Sequence, residues 1–483
     1  MELSKEQQIA FDKYVKGENI FITGPGGTGK SALIKKIYLD ATLRNKNITV
    51  TALTGCASVL LNCKAKTLHS WAGIGLGNSS IEQLVSKIKK NKFSKKSWLK
   101  TDILVIDEIS MLSLKLFDML NEIGKIIRNT FSRPFGGIQL IFSGDFYQLP
   151  PVGDKNDIDT QRFCFESDEW NSIFHRDCQI RLVKIFRQTD EIYCNILNQI
   201  REGKIKRKSN ELLLQYVGRK YDENLVVEPT KLYPTRNKVE QINSSKMFEL
   251  QTKENEYSIK FVYDIEISKQ DKQIRDLFTQ SEMLAELEFL ANNLLCEKIV
   301  KTKIGAQVMC VTNIKSTEDE TLVCNGSQGI VTSYCELTGC PRVKYNNGVE
   351  MVMTRNLWAS DKIPGIGVSQ VPIILAWALT IHKSQGATLD VAEIDVGSGI
   401  FECGQTYVAL SRVKSLEGLY LKSFDASRIL INKKVKHFYD ELVTYQEAIL
   451  TNEEVYEKLI VTDSEPINSI DEINDNIKVI KLI

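Results

Sequence analysis

The stretch GPGGTGKS at residues 24–31 decides the fold of the chain. It matches the pattern G-x-x-x-x-G-K-[ST], follows the apolar run NIFIT at residues 19–23, and precedes a segment with helical spacing at residues 31–43. In this context the glycines free backbone N–H groups to face phosphates, and the helix start adds its positive dipole end. The pattern predicts a phosphate-binding loop for a nucleoside triphosphate. Its expected members are Gly24, Pro25, Gly26, Gly27, Thr28, Gly29, Lys30 and Ser31.

Charged and hydroxyl side chains around this loop predict the chemistry of the site. Lys30 is expected to reach the β- and γ-phosphates, and Ser31 to hold Mg²⁺. Asp107 and Glu108 follow the apolar run DILVI at residues 102–106. One carboxylate at a strand end can bind the metal ion, and a second can orient and deprotonate the attacking water. We assign the metal to Asp107 and the base to Glu108, which predicts nucleotide hydrolysis but not what the hydrolysis drives.

Continuous apolar runs indicate the fold class. Runs of strand length occur at residues 47–51, 102–106 and 138–142, with helical segments between them. Such runs are typical of strands that are buried on both faces of a parallel sheet. The fold class is therefore α/β, with a parallel sheet between helices.

Composition excludes several classes of protein. The 483 residues suggest three or four domains, and 43% apolar with 25% charged residues is typical of a globular protein. We expect no membrane segment, because no apolar run approaches the ~18 residues of a spanning helix. Lys and Arg number 62 and Asp and Glu 61, for a net charge of +1. This balance excludes a uniformly basic nucleic-acid binder and leaves room for local basic grooves.

Residues 81–100 interrupt the alternation of strands and helices. They contain seven Lys and one Glu, a local charge of +6, together with Phe93 and Trp98. One interpretation is a solvated helical face. The other is a small insertion that touches the phosphates and bases of a nucleic acid. The sequence leaves both open.

A second α/β region begins near residue 179. Residues 192–203 and 231–247 are predicted to be helical, residues 252–300 are charged and helix-prone, and residues 371–380 (VPIILAWALT) read as one buried strand. Between them, residues 304–355 read as short strands with hairpin signals at Asn325-Gly326 and Asn347-Gly348, which predicts a small antiparallel barrel. Cys310, Cys324, Cys335 and Cys340 match no metal-binding spacing, so we expect most of the cysteines to be small buried side chains.

Several further motifs extend over nearly the whole chain. They are LSKEQ at 3–7, TALTGCAS at 51–58, KTLHSWAGIG at 66–75, VIDEISML at 105–112, PFGGIQLIFSGDFYQLPPV at 134–152, IFRQTD at 185–190, LYPTRNKVEQIN at 232–243, LTIHKSQGATLD at 379–390 and YVALSRVKSLEGL at 407–419. In these motifs and their order, over roughly residues 3–425, the sequence resembles the superfamily-one helicases of the petite-integration-frequency (Pif) family, relatives of the RecD helicases.

The resemblance implies two RecA-like lobes with insertions. Lobe one would span residues 1–180 with an insertion at about 60–100 that forms a wedge or contacts single-stranded DNA. Lobe two would span 181–295 and 371–450, interrupted by an SH3-like barrel at 296–370. Residues 451–483 would form a C-terminal tail.

The resemblance also implies roles for nucleotide-binding residues. Gln7 would read the adenine edge, and Gln385 and Gly386 would face the nucleotide cleft. Arg187 and Arg412 would be arginine fingers that stabilise charge on the phosphoryl group. Gln148 follows a buried strand, where its amide can sense the γ-phosphate.

The expected nucleic-acid contacts are divided between the two lobes. Thr54, Thr67, His69 and Phe146 are the candidates in the first lobe, and Thr380, His382 and Lys383 are those in the second. For Phe146, packing in the core is an equally good interpretation.

The implied activity is an ATP- and Mg²⁺-dependent 5′-to-3′ DNA helicase in replication, recombination or repair. Its partners would be single-stranded DNA and 5′-tailed duplexes, together with DNA–RNA hybrids and G-quadruplexes. We expect a monomer, or a dimer induced by DNA, inside the cell. A nucleus, a cytoplasm or a viral replication compartment fits better than a mitochondrion. Two alternatives stay open: a nucleic-acid-binding module that uses nucleotide as a switch, and a P-loop kinase or protein-remodelling ATPase.

Overall fold

A computed structural model describes the fold of most of the chain. It describes residues 3–53, 61, 63, 65–75, 77, 79–188, 190–222, 225, 227–315, 321–360 and 363–443. The chain divides into two units, Met1–Asn432 and Lys433–Ile483, and in the second unit residues 433–443 are helical. The predicted tail at 451–483 lies outside the described residues. Among the described residues, no helix combines the length and apolar character needed to cross a bilayer.

A six-stranded parallel sheet forms the centre of the first lobe and confirms the predicted α/β class. Its strands are, in spatial order, Lys66–Thr67, Ile48–Ala52, Ile103–Asp107, Gln139–Gly144, Ile20–Thr23 and Gln179–Arg181. The strand Ile20–Thr23 and the strand Ile103–Asp107 are buried along their whole length, as continuous apolar runs predict. The helices around the sheet are Lys5–Val15, Lys30–Leu43, Leu68–Ala72, Ile81–Lys90, Lys92–Lys100, Leu114–Arg128 and Trp170–Ile173.

The helix Lys30–Leu43 directly follows the glycine loop, as the sequence predicts. Its residues Leu33, Ile34, Ile37 and Ala41 are buried in the first-lobe core. Their spacing of three and four residues places them on one face of the helix, towards the sheet. The sheet therefore holds the start of this helix, and with it the phosphate-binding loop, in a fixed position.

The lysine-rich insertion consists of the helices Ile81–Lys90 and Lys92–Lys100. Trp98 is buried with its ring centroid 4.4 Å from that of Trp71, and Phe93 stacks on Phe278 at 3.8 Å. Both aromatic rings of the insertion are therefore used in packing. All seven lysines of residues 81–100 are exposed, so phosphate contacts by this face stay a prediction.

A four-stranded parallel sheet forms the centre of the second lobe. Its strands are, in spatial order, Ala378–Thr380, Thr230–Tyr233, Ala392–Val396 and Leu419–Phe424. The helices of this lobe are Glu191–Arg201, Arg207–Gln215, Arg236–Glu249 and Gln405–Leu410. The predicted helix at 231–247 is wrong at its start, because residues 230–233 pair as a strand between two others.

An antiparallel sheet follows where the sequence predicts short strands. Its strands are, in spatial order, Glu350–Val352, Pro341–Tyr345, Gln328–Tyr334, Gln307–Cys310 and Ile373–Leu375. Smaller pairings involve Asn255–Ser258 with Ile299–Thr302, Ile314–Lys315 with Thr321–Val323, and Gly367–Gln370 with Asn356–Ala359 and Lys260–Val262. These strands do not confirm an SH3-like barrel, which stays a prediction, as do the domain boundaries.

Two details of the antiparallel region correct the sequence analysis. Asn347-Gly348 does connect paired strands, but the strands on either side of Asn325-Gly326 pair with other partners. The apolar run 371–380 is two strands, because Ile373–Leu375 joins the antiparallel sheet and Ala378–Thr380 joins the parallel one. The stretch 252–300 contains the helices Lys269–Arg275 and Gln280–Asn293 as well as strands.

A buried glutamine fixes the antiparallel sheet to the second lobe. The Gln328 amide donates to the Thr230 hydroxyl at 2.6 Å and to the Val391 carbonyl at 2.9 Å, and its oxygen accepts from the backbone N–H groups of Asp390 and Val391. Because all these groups are buried or half-buried, the bonds replace contacts with water at this junction.

A buried ion pair joins the two lobes. Asp145 follows the strand Gln139–Gly144, and Arg201 ends the helix Glu191–Arg201. The guanidinium donates two hydrogen bonds of 2.8 Å to the carboxylate, and both side chains are almost fully buried. The Arg201 guanidinium also lies 4.5 Å from the centre of the Tyr147 ring. In such surroundings, removal of one charge leaves the other without its compensating partner.

We therefore expect Arg201→Ala to lower the free energy of unfolding by about 3–5 kcal/mol. Urea denaturation followed by tryptophan fluorescence measures the loss. The double variant Asp145→Leu/Arg201→Met removes both charges and is expected to recover a large part of it. A loss below about 1 kcal/mol for Arg201→Ala would show that the pair does not hold the lobes together.

Candidate functional site

A cavity of about 350 Å³ lies over the phosphate-binding loop, between the two lobes. Its lining includes most of the side chains that the sequence assigns to nucleotide chemistry. The lining residues are Gly26, Gly27, Gly29, Lys30, Ser31, Ala32, Leu61, Asp107, Glu108, Gln148, Phe186, Arg187, Gly386 and Arg412. The structure therefore brings together predicted residues that are separated by up to several hundred positions in the chain.

The glycine loop is held closely by the segment that leads into the second lobe. Gly27 has φ +87°, and a Cβ atom there would lie 2.5 Å from Arg187 Cβ. Both the backbone conformation and the close approach require glycine. The Phe186 N–H donates to the Gly27 carbonyl at 2.8 Å, so this segment follows the outer edge of the loop.

The Lys30 ammonium lies against the loop that it follows. It donates to the carbonyls of Gly24 at 2.7 Å and Pro25 at 3.0 Å. Burial lowers the pKa of Lys30, and the nearby carboxylates of Asp145, Glu108 and Asp107 oppose that effect. The ammonium is thus a local positive charge at the edge of the cavity.

The two predicted acids differ in their surroundings. Asp107 is buried at the end of its strand, and burial, followed by the charge of Glu108, raises the pKa of Asp107 to about 7. Glu108 has φ +56°, a left-handed conformation that is strained for a residue with a side chain. Asp107 and the exposed Ser31 both line the cavity with oxygen atoms, the donors that Mg²⁺ prefers, so the residues fit this ion.

Gln385 connects the second lobe to two predicted first-lobe residues. Its amide nitrogen lies 3.2 Å from a Glu108 carboxylate oxygen and 3.2 Å from the Gln148 amide oxygen, and it donates to both. The adjacent Gly386 lines the cavity. A displacement of the second lobe would therefore reach the predicted base and the predicted phosphate sensor directly.

Arg412 is buried beside the cavity at 2% exposure. Its Nε donates to the Val408 carbonyl at 2.9 Å and its Nη2 to the Ser411 hydroxyl at 2.7 Å. Burial, and next the charge of Arg187, lower the pKa of Arg412 to about 9. Among the described residues no carboxylate forms an ion pair with Arg412. A buried guanidinium at a cavity wall is suited to bind an anion there.

Arg187 also lies beside the loop. It lines the cavity, and its Nη1 would lie 3.6 Å from a Cβ atom placed on Gly26. Burial lowers the pKa of Arg187, while the nearby Tyr407 and Glu108 oppose that shift. Lys30, Arg187 and Arg412 thus surround one cavity, which makes it suitable for a polyphosphate.

The Gln7 side chain is hydrogen-bonded to the phosphate-binding loop. Its amide donates to the Thr28 carbonyl at 3.1 Å and accepts from the Ser4 N–H at 3.0 Å. The residue is 1% exposed, and its hydrogen bond to Thr28 supports the phosphate-binding loop. A contact between Gln7 and the adenine edge stays a prediction.

The second-lobe candidates for nucleic-acid contact lie at a separate groove. Thr380 and Lys383 line a groove of about 790 Å³. Its other charged lining residues are Arg236, Lys301 and Lys303, with Glu240, Glu254 and Glu297. The Thr380 hydroxyl accepts from the Lys383 N–H at 3.1 Å, which shapes the turn after the strand. His382 in the same turn is exposed.

The first-lobe candidates are less uniform. Thr67 caps the helix Leu68–Ala72, because its hydroxyl accepts from the Ser70 N–H at 3.2 Å. His69 is half-buried, and burial lowers its pKa. Thr54 lies outside the described residues.

The structure contradicts a nucleic-acid contact for Phe146. Its ring is 1% exposed and lies 5.4 Å from Phe21, 4.7 Å from Phe165 and 6.0 Å from Trp170, centroid to centroid. The alternative interpretation, packing in the core, is therefore the correct one. The motif predicted a residue near the site but not the direction of its side chain.

Two features of the site were missed in the sequence analysis. One is the ion pair of Asp145 with Arg201, and the other is a hydrogen bond of 2.8 Å from the Gly26 N–H to the Tyr407 hydroxyl. The only sequence signal for these contacts is that each contains a residue of a motif. Asp145 lies in the GDFYQ motif, and Tyr407 is the first residue of YVALSRV.

Comparisons with known proteins agree with this geometry. A sequence model of the family described as PIF1-like helicase matches residues 2–211. The chain is 36% identical to the ATP-dependent DNA helicase PIF1 of Emericella nidulans, and the alignment covers 90% of this chain and 62% of that protein. The chain thus spans less than two thirds of the length of this curated relative.

Solved structures are similar over most of the chain. The Pif1 helicase from Candida albicans has a TM-score of 0.70 and 35% identity, with 92% of this chain and 100% of that chain covered. Bacteroides Pif1 bound to ssDNA has a TM-score of 0.60 and 28% identity, with 93% and 98% covered.

The burial of Phe146 generates a prediction that separates packing from DNA binding. Phe146→Leu is expected to lower the free energy of unfolding by about 1–3 kcal/mol, because it leaves space in an aromatic core. Affinity for a single-stranded oligonucleotide, measured by fluorescence anisotropy, should stay within about twofold of wild type. A normally stable variant with weakened DNA binding would restore the rejected interpretation.

Proposed function

Because the chain belongs to the PIF1-like helicase family, we propose that it is an ATP-dependent DNA helicase that moves along single-stranded DNA and unwinds duplexes. One observation carries this proposal most strongly. A cavity over the phosphate-binding loop is completed by second-lobe residues, among them Arg412 and the segment of Gln385. Hydrolysis at such a site depends on how the two lobes meet, which is the property that a translocating enzyme requires.

The roles in hydrolysis follow from the surroundings of each residue. Lys30 and the loop N–H groups hold the phosphates, and Glu108 accepts a proton from the attacking water while it orients that water. Arg187 and Arg412 stabilise the negative charge that develops on the phosphoryl oxygens. Ser31 and Asp107 would hold Mg²⁺, which when bound neutralises phosphate charge.

The short segment between the groove and the cavity couples the two sites. Thr380 and Lys383 line the groove, and Gln385 contacts Glu108 and Gln148. Only Ser384 lies between Lys383 and Gln385. A strand bound in the groove would shift this segment, and the shift would reach the catalytic base. Conversely, binding or loss of the γ-phosphate would change the affinity of the groove for DNA through Gln148 and Gln385.

We infer that the DNA contacts combine this groove with the basic face of the first-lobe insertion. The seven exposed lysines of residues 81–100 supply positive charge for contacts with phosphates. Such contacts do not depend on the base sequence of the DNA. One similar solved protein is Bacteroides Pif1 bound to ssDNA.

Three finer proposals concern how the helicase works. It moves in the 5′-to-3′ direction, and it acts on 5′-tailed duplexes, DNA–RNA hybrids and G-quadruplexes. It is a monomer that can form a dimer on DNA.

The two alternatives explain fewer observations. A nucleotide switch without turnover needs no base and no buried guanidinium at the phosphates, yet Glu108 and Arg412 line one cavity. A P-loop kinase or protein-remodelling ATPase leaves the groove at Thr380 and Lys383 without a role.

Strand displacement on tailed duplexes tests the proposed function. We expect wild-type protein with ATP and Mg²⁺ to unwind a duplex with a 5′ single-stranded tail and to leave the same duplex with a 3′ tail intact. Lys30→Ala is expected to lower ATP turnover by at least about 100-fold and to abolish unwinding, while it keeps binding to single-stranded DNA, because the groove lies away from the loop.

Lys35→Ala is the matched control, since Lys35 lies on the same helix but does not line the cavity. It should unwind like the wild type. Unchanged ATP turnover in Lys30→Ala would contradict the assignment of the site, and unwinding of only the 3′-tailed duplex would contradict the polarity.

A further inference from the structure

The proposed function leaves one buried contact between the lobes without a role. The backbone N–H of Gly26, in the phosphate-binding loop, donates a hydrogen bond of 2.8 Å to the Tyr407 hydroxyl. Tyr407 is 3% exposed and belongs to the helix Gln405–Leu410 of the second lobe. A second-lobe side chain therefore satisfies a donor of the loop itself.

The same short helix also holds Arg412. The Arg412 guanidinium donates to the Val408 carbonyl and to the Ser411 hydroxyl, and the Ser411 hydroxyl in turn donates to Val408 at 2.9 Å. The guanidinium is thus bound to the C-terminal end of the helix that carries Tyr407. A shift of Tyr407 relative to the loop would move Arg412 relative to the cavity by a similar distance.

The N-terminal end of this helix lies equally close to the first lobe. Gly404, the residue before the helix, has φ +77°, and a Cβ atom there would lie 2.5 Å from the Tyr147 carbonyl oxygen and 2.6 Å from that of Gln148. The backbone at this point thus leaves no space for a side chain. Steric contact at Gly404 and the hydrogen bond at Tyr407 together fix the helix against the first lobe at two points.

In this contact the Tyr407 hydroxyl oxygen is the acceptor. Burial raises the pKa of Tyr407 to about 12, so the phenol stays protonated at neutral pH. Removal of this oxygen alone would leave the Gly26 N–H without its acceptor and leave the ring packing in place. Tyr407→Phe is therefore a minimal change that addresses the hydrogen bond.

We propose that Tyr407 is a positioning residue, whose hydrogen bond to the phosphate-binding loop sets Arg412 over the phosphates when the lobes close. The inference rests on the proposed function and deepens it, because it names the contact through which lobe closure completes the hydrolytic site. Tyr407 acts through Arg412 and through the loop, and does not itself line the cavity.

Tyr407→Phe should change the transition state more than the binding of nucleotide. In DNA-stimulated ATP hydrolysis we expect kcat to fall about 3- to 10-fold and KM for ATP to stay within about twofold. The dissociation constant for ADP with aluminium fluoride and Mg²⁺ should rise by the same 3- to 10-fold, whereas that for ADP alone should stay unchanged.

Tyr257→Phe provides a matched control. The Tyr257 hydroxyl donates at 2.7 Å to the Gly339 carbonyl, the residue is 8% exposed, and neither partner lines the cavity. Loss of this hydrogen bond should lower the melting temperature about as much as the Tyr407→Phe substitution does. It should leave kcat and the affinity for ADP–aluminium fluoride unchanged.

Three results would overturn the inference: wild-type kcat in Tyr407→Phe, an equal loss of affinity for ADP and for ADP–aluminium fluoride, or the same fall in kcat in Tyr257→Phe. With normal wild-type turnover, these results leave the proposed function intact. A wild-type protein that hydrolyses no ATP would overturn both.

Discussion

The positive charges of Arg187 and Arg412 line the same cavity, and their mutual repulsion is the constraint on which the rest of the cleft depends. Arg412 is buried, and among the described residues it has no carboxylate as an ion-pair partner. The charge of Arg187 lowers its pKa further. Two guanidinium groups near each other in a low dielectric are unfavourable unless anions compensate them. The Glu108 carboxylate, whose charge raises the pKa of both arginines, supplies part of that compensation, and a bound anion would supply more. The repulsion between the two guanidinium groups thus favours a polyphosphate as the ligand of the site.

The two guanidinium groups lie close to the loop because two separately folded sheets contact each other there. The buried pair of Asp145 and Arg201 and the amide of Gln385 are the polar parts of this contact. Each joins a residue at the carboxyl end of a first-lobe strand to one in the second lobe. The nucleotide chemistry and the junction between the lobes therefore occupy the same place, so a change in one alters the other. The net charge of +1 fits this arrangement, because the basic groups are concentrated at particular surfaces such as the insertion at 81–100.

Local signals in the sequence predicted much of this structure. The glycine loop and the fully buried strands were predictable, because continuous apolar runs and helix spacing depend on neighbouring residues. The run 371–380 was not, since two sheets bury apolar residues equally well and the sequence does not show where the chain passes from one to the other. Phe146 shows a second limit: a motif places a residue near a site, but only packing decides which way its side chain points. The bond between Gly26 and Tyr407 joins positions 381 apart, and no local pattern reports it.

The central claim is that a second-lobe guanidinium completes a site whose nucleotide is held mainly by the first lobe. Single-turnover ATP hydrolysis by Arg412→Lys, with ATP affinity measured in parallel, tests it most directly. Lysine keeps the charge but loses the planar donor geometry. The account predicts a fall in turnover of at least about 100-fold with ATP affinity within about threefold of wild type. Turnover that survives, or ATP affinity that falls in parallel with turnover, would contradict it.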